Sequence, residues 1–316
     1  MRVRIAFGSR AAAMKDNLYI FERGHLFTSP YVQTEQTDGA YGMILLSGPQ
    51  TPLHVTTDDD RGAYHAVAIK PLIKRYIEAK NAQLICISVN VLHPQFKRFR
   101  SIADPGVLQL PRAAFAEYND AIKAAYFGTL SRSEAALLFE QLVAIAARFM
   151  PTPRCSDDSR VRQTIALLNA DPDCALSTLA AQAGLSMHRM SHLFSDVVGL
   201  SLRSYRLWCK LNAIGQLASP YLSLTEIAHR AGFHDLPHMD RTFRRFFGAA
   251  PSYFLRSSSV RCFCLKRLSG VRGDTRQQTR VIAATRRMRK SANFYDTQSA
   301  RLRSTGYTRE PVVNPP

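Results

Sequence analysis

The chain has 316 residues, which on the usual scale of ~150 residues per domain suggests two domains. Apolar residues make up 46% of it, so a sizeable core can form. A net charge of +18 and an isoelectric point near 10.1 favour an anionic partner, nucleic acid before a membrane surface. The sequence has no apolar run long enough to span a membrane and no apolar block of a signal peptide near Met1. Six scattered cysteines indicate a reduced, cytoplasmic protein.

The front part of the chain alternates short apolar runs with turn signals, which predicts strands. The expected strands cover residues 17–21, 41–47, 64–69 and 83–91, with a short helix at 71–79. From residue 111 the periodicity becomes helical, over residues 111–126 and 131–149, and Ser131 with Glu134 forms a capping box. Pro151 and Pro153 then begin a linker over residues 151–159.

The front part carries no grouping that predicts catalysis or a metal. His54, His65 and His93 are separated, and no pair of histidines one residue apart stands near a glutamate. A DNA-repair enzyme with a zinc cysteine cluster and a methyl-accepting cysteine is disfavoured because residues 1–150 hold only Cys86. No phosphate-binding glycine loop or Ser/His/Asp set is present either. We therefore expect no enzyme activity, no cofactor and no metal.

One pattern is written twice between about residues 177 and 254. Each copy has a short helix, a glycine where a helix end turns left-handed, an apolar plug and a second helix behind a capping side chain. The glycines are Gly184 and Gly232, and the caps are Ser186 and Asp235. Two helices joined in this way form a helix-turn-helix unit, whose second helix enters the DNA major groove. A helix over residues 202–217 joins the copies, with an apolar stripe of Tyr205, Trp208, Leu211, Ile214 and Leu217.

These motifs resemble the DNA-binding domain of the AraC/XylS family of bacterial transcription regulators over about residues 156–255. The matching residues are Gly184-Leu185-Ser186, Leu193-Phe194, Gly199, residues 223–228, Ala231-Gly232-Phe233, Phe243, Phe246-Phe247-Gly248 and Pro251. The resemblance implies an α+β protein. A strand-rich, cupin-like sensor or dimerisation domain with two C-terminal helices (1–150) would precede a linker (151–159) and an all-α domain of two helix-turn-helix units (160–255).

Residues 256–316 lie outside the resemblance. They hold 14 basic and 3 acidic residues, a net charge of +11, whereas residues 156–255 have a net charge of only +2. Large apolar residues are few in this tail, which predicts disorder. The tail either adds salt-dependent, non-specific DNA affinity or has no dedicated role. Cys262 and Cys264 alone cannot supply the four ligands of a zinc site.

The resemblance also implies partners. They are double-stranded promoter DNA, RNA polymerase, a small-molecule effector in the front domain and a second copy of the chain, with no membrane, in the cytoplasm at the nucleoid. The expected function is a DNA-binding regulator, an activator. The alternative is a DNA-binding protein without an effector, whose front domain only dimerises. A linker helix of this kind would hold the two second helices about one DNA turn, ~34 Å, apart.

By position, the family's base-reading residues fall on His188, Ser191 and His192 in the first unit. In the second unit they fall on Leu236, Pro237, Asp240 and Arg241. Arg241 is the best single candidate, because its guanidinium can donate two hydrogen bonds to guanine. Arg244 and Arg245 are expected to be phosphate contacts or solvated charges. The histidines could also be plain exposed helix positions, and Leu236 and Pro237 could only shape the start of their helix.

Overall fold

The computed structural model describes residues 15–153, 158–217 and 221–263. Its strands are β1 (Asp16–Phe21), β2 (Gly24–Gln33), β3 (Gly42–Leu46), β4 (Leu53–Thr57), β5 (Arg61–Tyr64), β6 (Ala66–Ile69), β7 (Arg75–Val89), β8 (Val107–Gln109) and β9 (Val260–Phe263). Its α-helices are α1 (Phe96–Arg100), α2 (Asn119–Phe127), α3 (Arg132–Ala147), α4 (Ser159–Ala170), α5 (Leu176–Gln182), α6 (Met187–Val198), α7 (Leu202–Leu217), α8 (Leu224–Arg230), α9 (Leu236–Phe247) and α10 (Pro251–Arg256). A 3-10 helix (Arg112–Tyr118) precedes α2.

The strands form one sheet in the order β8-β6-β3-β7-β2-β1-β9, with β4 on the first half of β7 and β5 on β4. All pairs are antiparallel except β1 with β9. Alternate residues of each strand face opposite sides. One side, with Tyr19, Leu26 and Ile87, packs on α2 and α3. The other side, with Phe27, Leu45 and Leu84, forms a second apolar cluster that α10 partly covers.

The predicted strand-rich front half, the two helices after it and the helical back half are all present. The capping box at the start of α3 is confirmed, since the Glu134 amide donates to Ser131 Oγ and the Glu134 side chain accepts from the Ser131 amide. The predicted helix at residues 71–79 is wrong. Arg75, Ile77 and Ala79 are buried and alternate with outward residues, so this stretch begins the long strand β7.

Strand β2, which begins at Gly24, is not among the strands predicted from the sequence. A β-carbon at Gly24 would lie 2.1 Å from the carbonyl oxygen of Ser88, so only glycine permits this close approach between β2 and β7. His93 lies in the loop between β7 and α1, where it is buried and its Nε2 is 3.1 Å from Glu140 Oε2.

The first residues of the predicted disordered tail are ordered. Val260–Phe263 form β9, which pairs in parallel with β1, and the Phe263 ring stacks on Tyr19 with centroids 4.3 Å apart. The expectation of disorder from residue 256 is therefore wrong as far as Phe263. The rest of the tail lies outside the described residues.

The front and back halves pack into a single compact unit that reaches past β9. Their buried residues form one continuous cluster, running from Tyr19 and Phe139 in the front half to Trp208 and Met239 in the back half. The boundary predicted at residues 151–159 lies between α3 and α4, and the core is continuous across it. Within the described ranges, no helix has the length and hydropathy to cross a membrane.

Candidate nucleic-acid interface

The first helix-turn-helix unit consists of α5 and α6. Gly184 between them has φ +64°, and the amide of Leu185 donates to the carbonyl of Ala180 at 2.9 Å, which closes the turn. Ser186 caps α6, because its Oγ accepts from the Arg189 amide at 3.3 Å. Met190 and Phe194 bury the inner side of α6. The turn and the cap predicted from the sequence are both confirmed.

The outer side of α6 carries the three predicted DNA-contact residues together. His188 and His192 are exposed and Ser191 is half-buried. The two histidines stand one helical turn apart with their Nε2 atoms 3.2 Å from each other. In the neutral forms one ring nitrogen donates to the other, and the Nδ1 atoms remain for other partners. Met187 and Arg189, also exposed here, were not among the predicted contacts.

The second unit repeats this construction with α8 and α9. Gly232 has φ +81°, and the carboxylate of Asp235 accepts from the His238 amide at 2.6 Å at the start of α9. That hydrogen bond is the main cause that lowers the pKa of Asp235. Pro237 lies exposed in the first turn of α9, where no partner for its nitrogen is needed, whereas Leu236 packs partly against the core.

The charged residues of α9 fall into two groups. Arg241 is exposed on the outer side of the helix. Asp240 and Arg244 pair with each other one turn apart, with Arg244 Nε 2.7 Å from the Asp240 carboxylate. A paired carboxylate is less free to accept from a base, and a paired guanidinium is less free to bind phosphate. Arg241 is therefore the more available donor of the two arginines.

Arg245 is held by the front half of the chain. Its Nε donates to the carboxylate of Asp38 at 2.7 Å, and the Asp38 amide donates to the Arg245 carbonyl at 3.2 Å. The hydrogen bond to Asp38 raises the pKa of Arg245. Arg245 thus carries an ion pair although its side chain is exposed, and its expected role as a phosphate contact or solvated charge stays a prediction. No local sequence pattern indicates this pair, because its members stand 207 positions apart.

Helix α7 joins the two units as expected. Tyr205, Trp208, Leu211 and Ile214 are buried along one side, and Leu217 is half-buried. Lys210 Nζ donates to the carbonyl of Gly232 at 2.7 Å and lies 2.8 Å from Asp173. One lysine on α7 therefore binds the turn of the second unit and the loop before the first.

The front half also contacts the end of α6. Arg100 Nη1 donates to the carbonyl of Asp196 at 3.3 Å. Gly199, at φ +89°, leaves room for the Arg100 guanidinium, since a β-carbon there would lie 1.8 Å from that side chain. The described residues of the front half thus contact the C-terminal end of both second helices and leave their N-terminal, outward residues uncovered.

The histidines weighed as metal ligands are not brought together. His65 lies against Ser47 and Gly48, His93 against Glu140, and His54 on β4. Over residues 15–153, 158–217 and 221–263, no three His, Cys, Asp or Glu side chains are grouped to hold a metal ion.

Comparisons with known proteins agree with this local geometry. A family model described as a helix-turn-helix domain matches residues 179–257. The transcriptional activator NphR of Rhodococcus is 33% identical over 121 residues, which are 38% of this chain and 35% of that protein. The arabinose operon regulatory protein of Escherichia coli is 30% identical over 101 residues, 31% of this chain and 35% of that protein. The chain thus spans about a third of the length of the curated relatives it matches.

Solved structures give lower similarity. The chain aligns with ToxT from Vibrio cholerae at 11% identity and a TM-score of 0.45, over 77% of this chain and 98% of that one. The DNA-binding domain of AdpA, solved in complex with a target DNA, aligns at 21% identity and a TM-score of 0.28, over 30% of this chain and 88% of that one. Residues 179–257 are a helix-turn-helix domain, and about a third of the chain is similar in sequence to two transcription regulators, NphR and the arabinose operon regulatory protein.

Proposed function

We propose that this chain is a sequence-specific DNA-binding transcription regulator of the AraC type, an activator, whose front half responds to a small-molecule effector. The observation that carries the proposal is the pair of helix-turn-helix units, in each of which the described part of the chain leaves the outward face of the second helix uncovered. The similarity to the transcriptional activator NphR supports activation over repression. Selection of bound fragments from the genome of the source organism tests the proposal, since a specific regulator enriches a defined promoter sequence and a non-specific binder enriches none.

In this proposal α6 and α9 enter successive major grooves. His188, Ser191 and His192 contact bases from α6. From α9, Arg241 contacts a guanine, Leu236 and Pro237 approach thymine methyl groups, and Asp240 accepts from a cytosine. Arg244 binds phosphate once Asp240 turns to a base. Arg245 reaches phosphate only if its ion pair with Asp38 opens.

Replacement of Arg241 by alanine is expected to weaken binding to the selected site by ~1–3 kcal/mol and to relax one base position. The reason is that the bidentate contact to guanine is lost while the fold keeps its buried residues. Fluorescence anisotropy with the selected site and with single-base variants measures both effects.

The matched control is Arg61→Ala, which removes one exposed positive charge from β5 in the sheet. It should leave the base preference unchanged. An equal loss for Arg241→Ala on the selected site and on random DNA would contradict base reading and leave only an electrostatic contact.

The remaining partners belong to the same proposal. RNA polymerase is contacted once the protein is bound upstream of a promoter, and a second copy of the chain binds a neighbouring site. Transcription in vitro with purified polymerase and sedimentation at several protein concentrations test these two statements. The alternative, a regulator without an effector whose front half only dimerises, predicts no ligand-induced rise in melting temperature.

A further inference from the structure

A cavity of about 130 Å³ lies between the sheet and the DNA-binding domain. The sheet supplies one side of it, with Phe27, Leu45 and Leu84 among the lining residues. The back half supplies the other side, from α7 (Leu211, Ile214, Gly215) and from α9 and α10 (Phe243, Phe246, Phe247, Phe254). For scale, a protein cavity of ~150 Å³ lined by Leu, Ile and Phe binds one benzene molecule. The size therefore suits about one six-membered ring.

Among the described residues that line this apolar cavity, Arg75 is the one with a permanent charge. Arg75 is 1% exposed, and its Nη1 donates to the carbonyl of Ile73 at 3.0 Å. Its Nε has no hydrogen-bond partner, and within the described part of the chain Arg75 makes no ion pair. The carboxylate of Asp38, which contributes to the electrostatic field at Arg75, is engaged by Arg245. Burial lowers the pKa of Arg75 to about 10, which still leaves the guanidinium charged at neutral pH.

A buried charge with an unpaired hydrogen-bond donor costs free energy unless an anion pairs with it. The described residues that line the cavity include no Asp or Glu, so a cationic ligand would find no carboxylate partner among them. A sugar would meet mostly apolar walls, on which its hydroxyl groups would lose their hydrogen bonds to water. The molecule that complements both the walls and Arg75 has one apolar ring and one carboxylate.

We propose that this cavity binds a small monocarboxylic acid of about one ring, aromatic or alicyclic, with its carboxylate on the Arg75 guanidinium and its ring among the phenylalanines of α9 and α10. This deepens the effector response proposed above and rests on it only for the consequence for DNA. Helix α9 carries Phe243 and Phe247 on its cavity side and Arg241 on its exposed side. Occupation of the cavity therefore acts on the same helix that reads bases.

Asp38 provides an electrostatic link between Arg75 in the cavity and Arg245 on α9. Its carboxylate pairs with Arg245 and also contributes to the electrostatic field at Arg75. A ligand carboxylate on Arg75 brings a second negative charge towards Asp38. The repulsion weakens the attraction of Asp38 to Arg75. It also changes the strength of the Asp38–Arg245 ion pair, which holds the C-terminal end of α9.

The test uses the full chain without DNA. Melting temperature and titration calorimetry are measured with benzoate, cyclohexanecarboxylate, benzamide and acetate. Benzoate and cyclohexanecarboxylate should raise the melting temperature by several degrees at concentrations well above their Kd. Benzamide has the ring without the charge and acetate the charge without the ring, so neither should match them. Equal shifts with benzoate and benzamide, or no shift with any of the four, would overturn the proposal.

Two variants address the site from opposite sides. Arg75→Met removes the charge and keeps an unbranched apolar side chain, and it should weaken benzoate binding by roughly 30-fold or more. Gly215→Leu fills the cavity from α7, since a β-carbon at Gly215 first meets Ile20 at 3.6 Å, an ordinary contact. This variant should stay folded and lose the benzoate shift, so the test does not depend on how Arg75→Met folds.

The matched control is Arg112→Met. Arg112 is a partly buried arginine of a different cleft, where it donates to the carbonyl of Ser47 and to Asn119. The benzoate shift should be unchanged in this variant. Retention of the shift in Gly215→Leu would overturn the site. A protein that selects no promoter fragment and still binds benzoate would refute the regulator function while leaving the ligand site intact.

Discussion

Replacement of Trp208 by alanine is expected to lower the free energy of unfolding by about 3–5 kcal/mol, the range for removing a large aromatic side chain from a core. Trp208 is 2% exposed on α7, and its ring lies 5.3 Å from that of Tyr205, which in turn meets Phe194 of the first unit at 5.4 Å. Because a typical domain has a free energy of unfolding of only ~5–15 kcal/mol, this substitution would remove much of the protein's stability. Urea unfolding followed by circular dichroism measures the effect, since Trp208 is the only tryptophan and its fluorescence disappears with it.

Trp208→Phe is the matched control. It keeps a ring on Tyr205 and should cost clearly less than the alanine variant, so the difference isolates the volume removed. DNA binding should fall with stability in the alanine variant, because both helix-turn-helix units pack on α7. A cost below ~1 kcal/mol for Trp208→Ala would show that the core between the units is formed elsewhere.

Stability is also expected to fall on acidification because of His25. His25 lines the cavity, its ring lies 5.4 Å from Tyr41 and 5.7 Å from Phe247, and burial lowers its pKa to about 4. In the unfolded chain the pKa is about 6.5, so between pH 6.5 and pH 4 the unfolded state binds a proton that the folded state does not. The unfolding free energy should therefore be unaffected above pH 7 and fall by up to about 3 kcal/mol between pH 6.5 and pH 4.

The measurement is the difference between the wild type and His25→Phe at each pH. This subtraction removes other titrating groups, among them His93, whose pKa burial also lowers while Glu140 opposes that shift. The wild-type curve should fall relative to the variant as the pH drops. Parallel curves would mean that His25 is hydrated or paired in the folded protein.

The helix-turn-helix units were predictable because their signals are local. A glycine with positive φ, a capping side chain and an apolar stripe at spacings of three and four lie within about 20 residues, and each has a single structural solution. Gly184, Ser186 and the stripe of α7 were all placed correctly for this reason. The DNA contacts themselves depend on a partner that the chain does not encode, so they stay predictions.

The sheet and the cavity were not predictable in the same way. The stretch from Arg75 to Ala79 has a strand pattern that only its pairing with β4 and β2 distinguishes from a short helix. The cavity brings Arg75, Ile214 and Phe247 together from three distant parts of the chain. No local sequence pattern indicates that these residues are close in space. In the sequence, a buried arginine cannot be distinguished from an exposed one.

The pairing of β1 with β9 has a consequence for how the protein is made. Asp16 is aligned with Val260. The outer edge of β1 can therefore pair with β9 only after nearly all of the described chain has been synthesised. An uncovered strand edge is a template for pairing with another molecule, and contacts between remote segments form slowly. A truncated protein that ends before residue 260 would lack β9, and its β1 edge would stay unpaired. Such fragments should aggregate more readily than those that extend through residue 263.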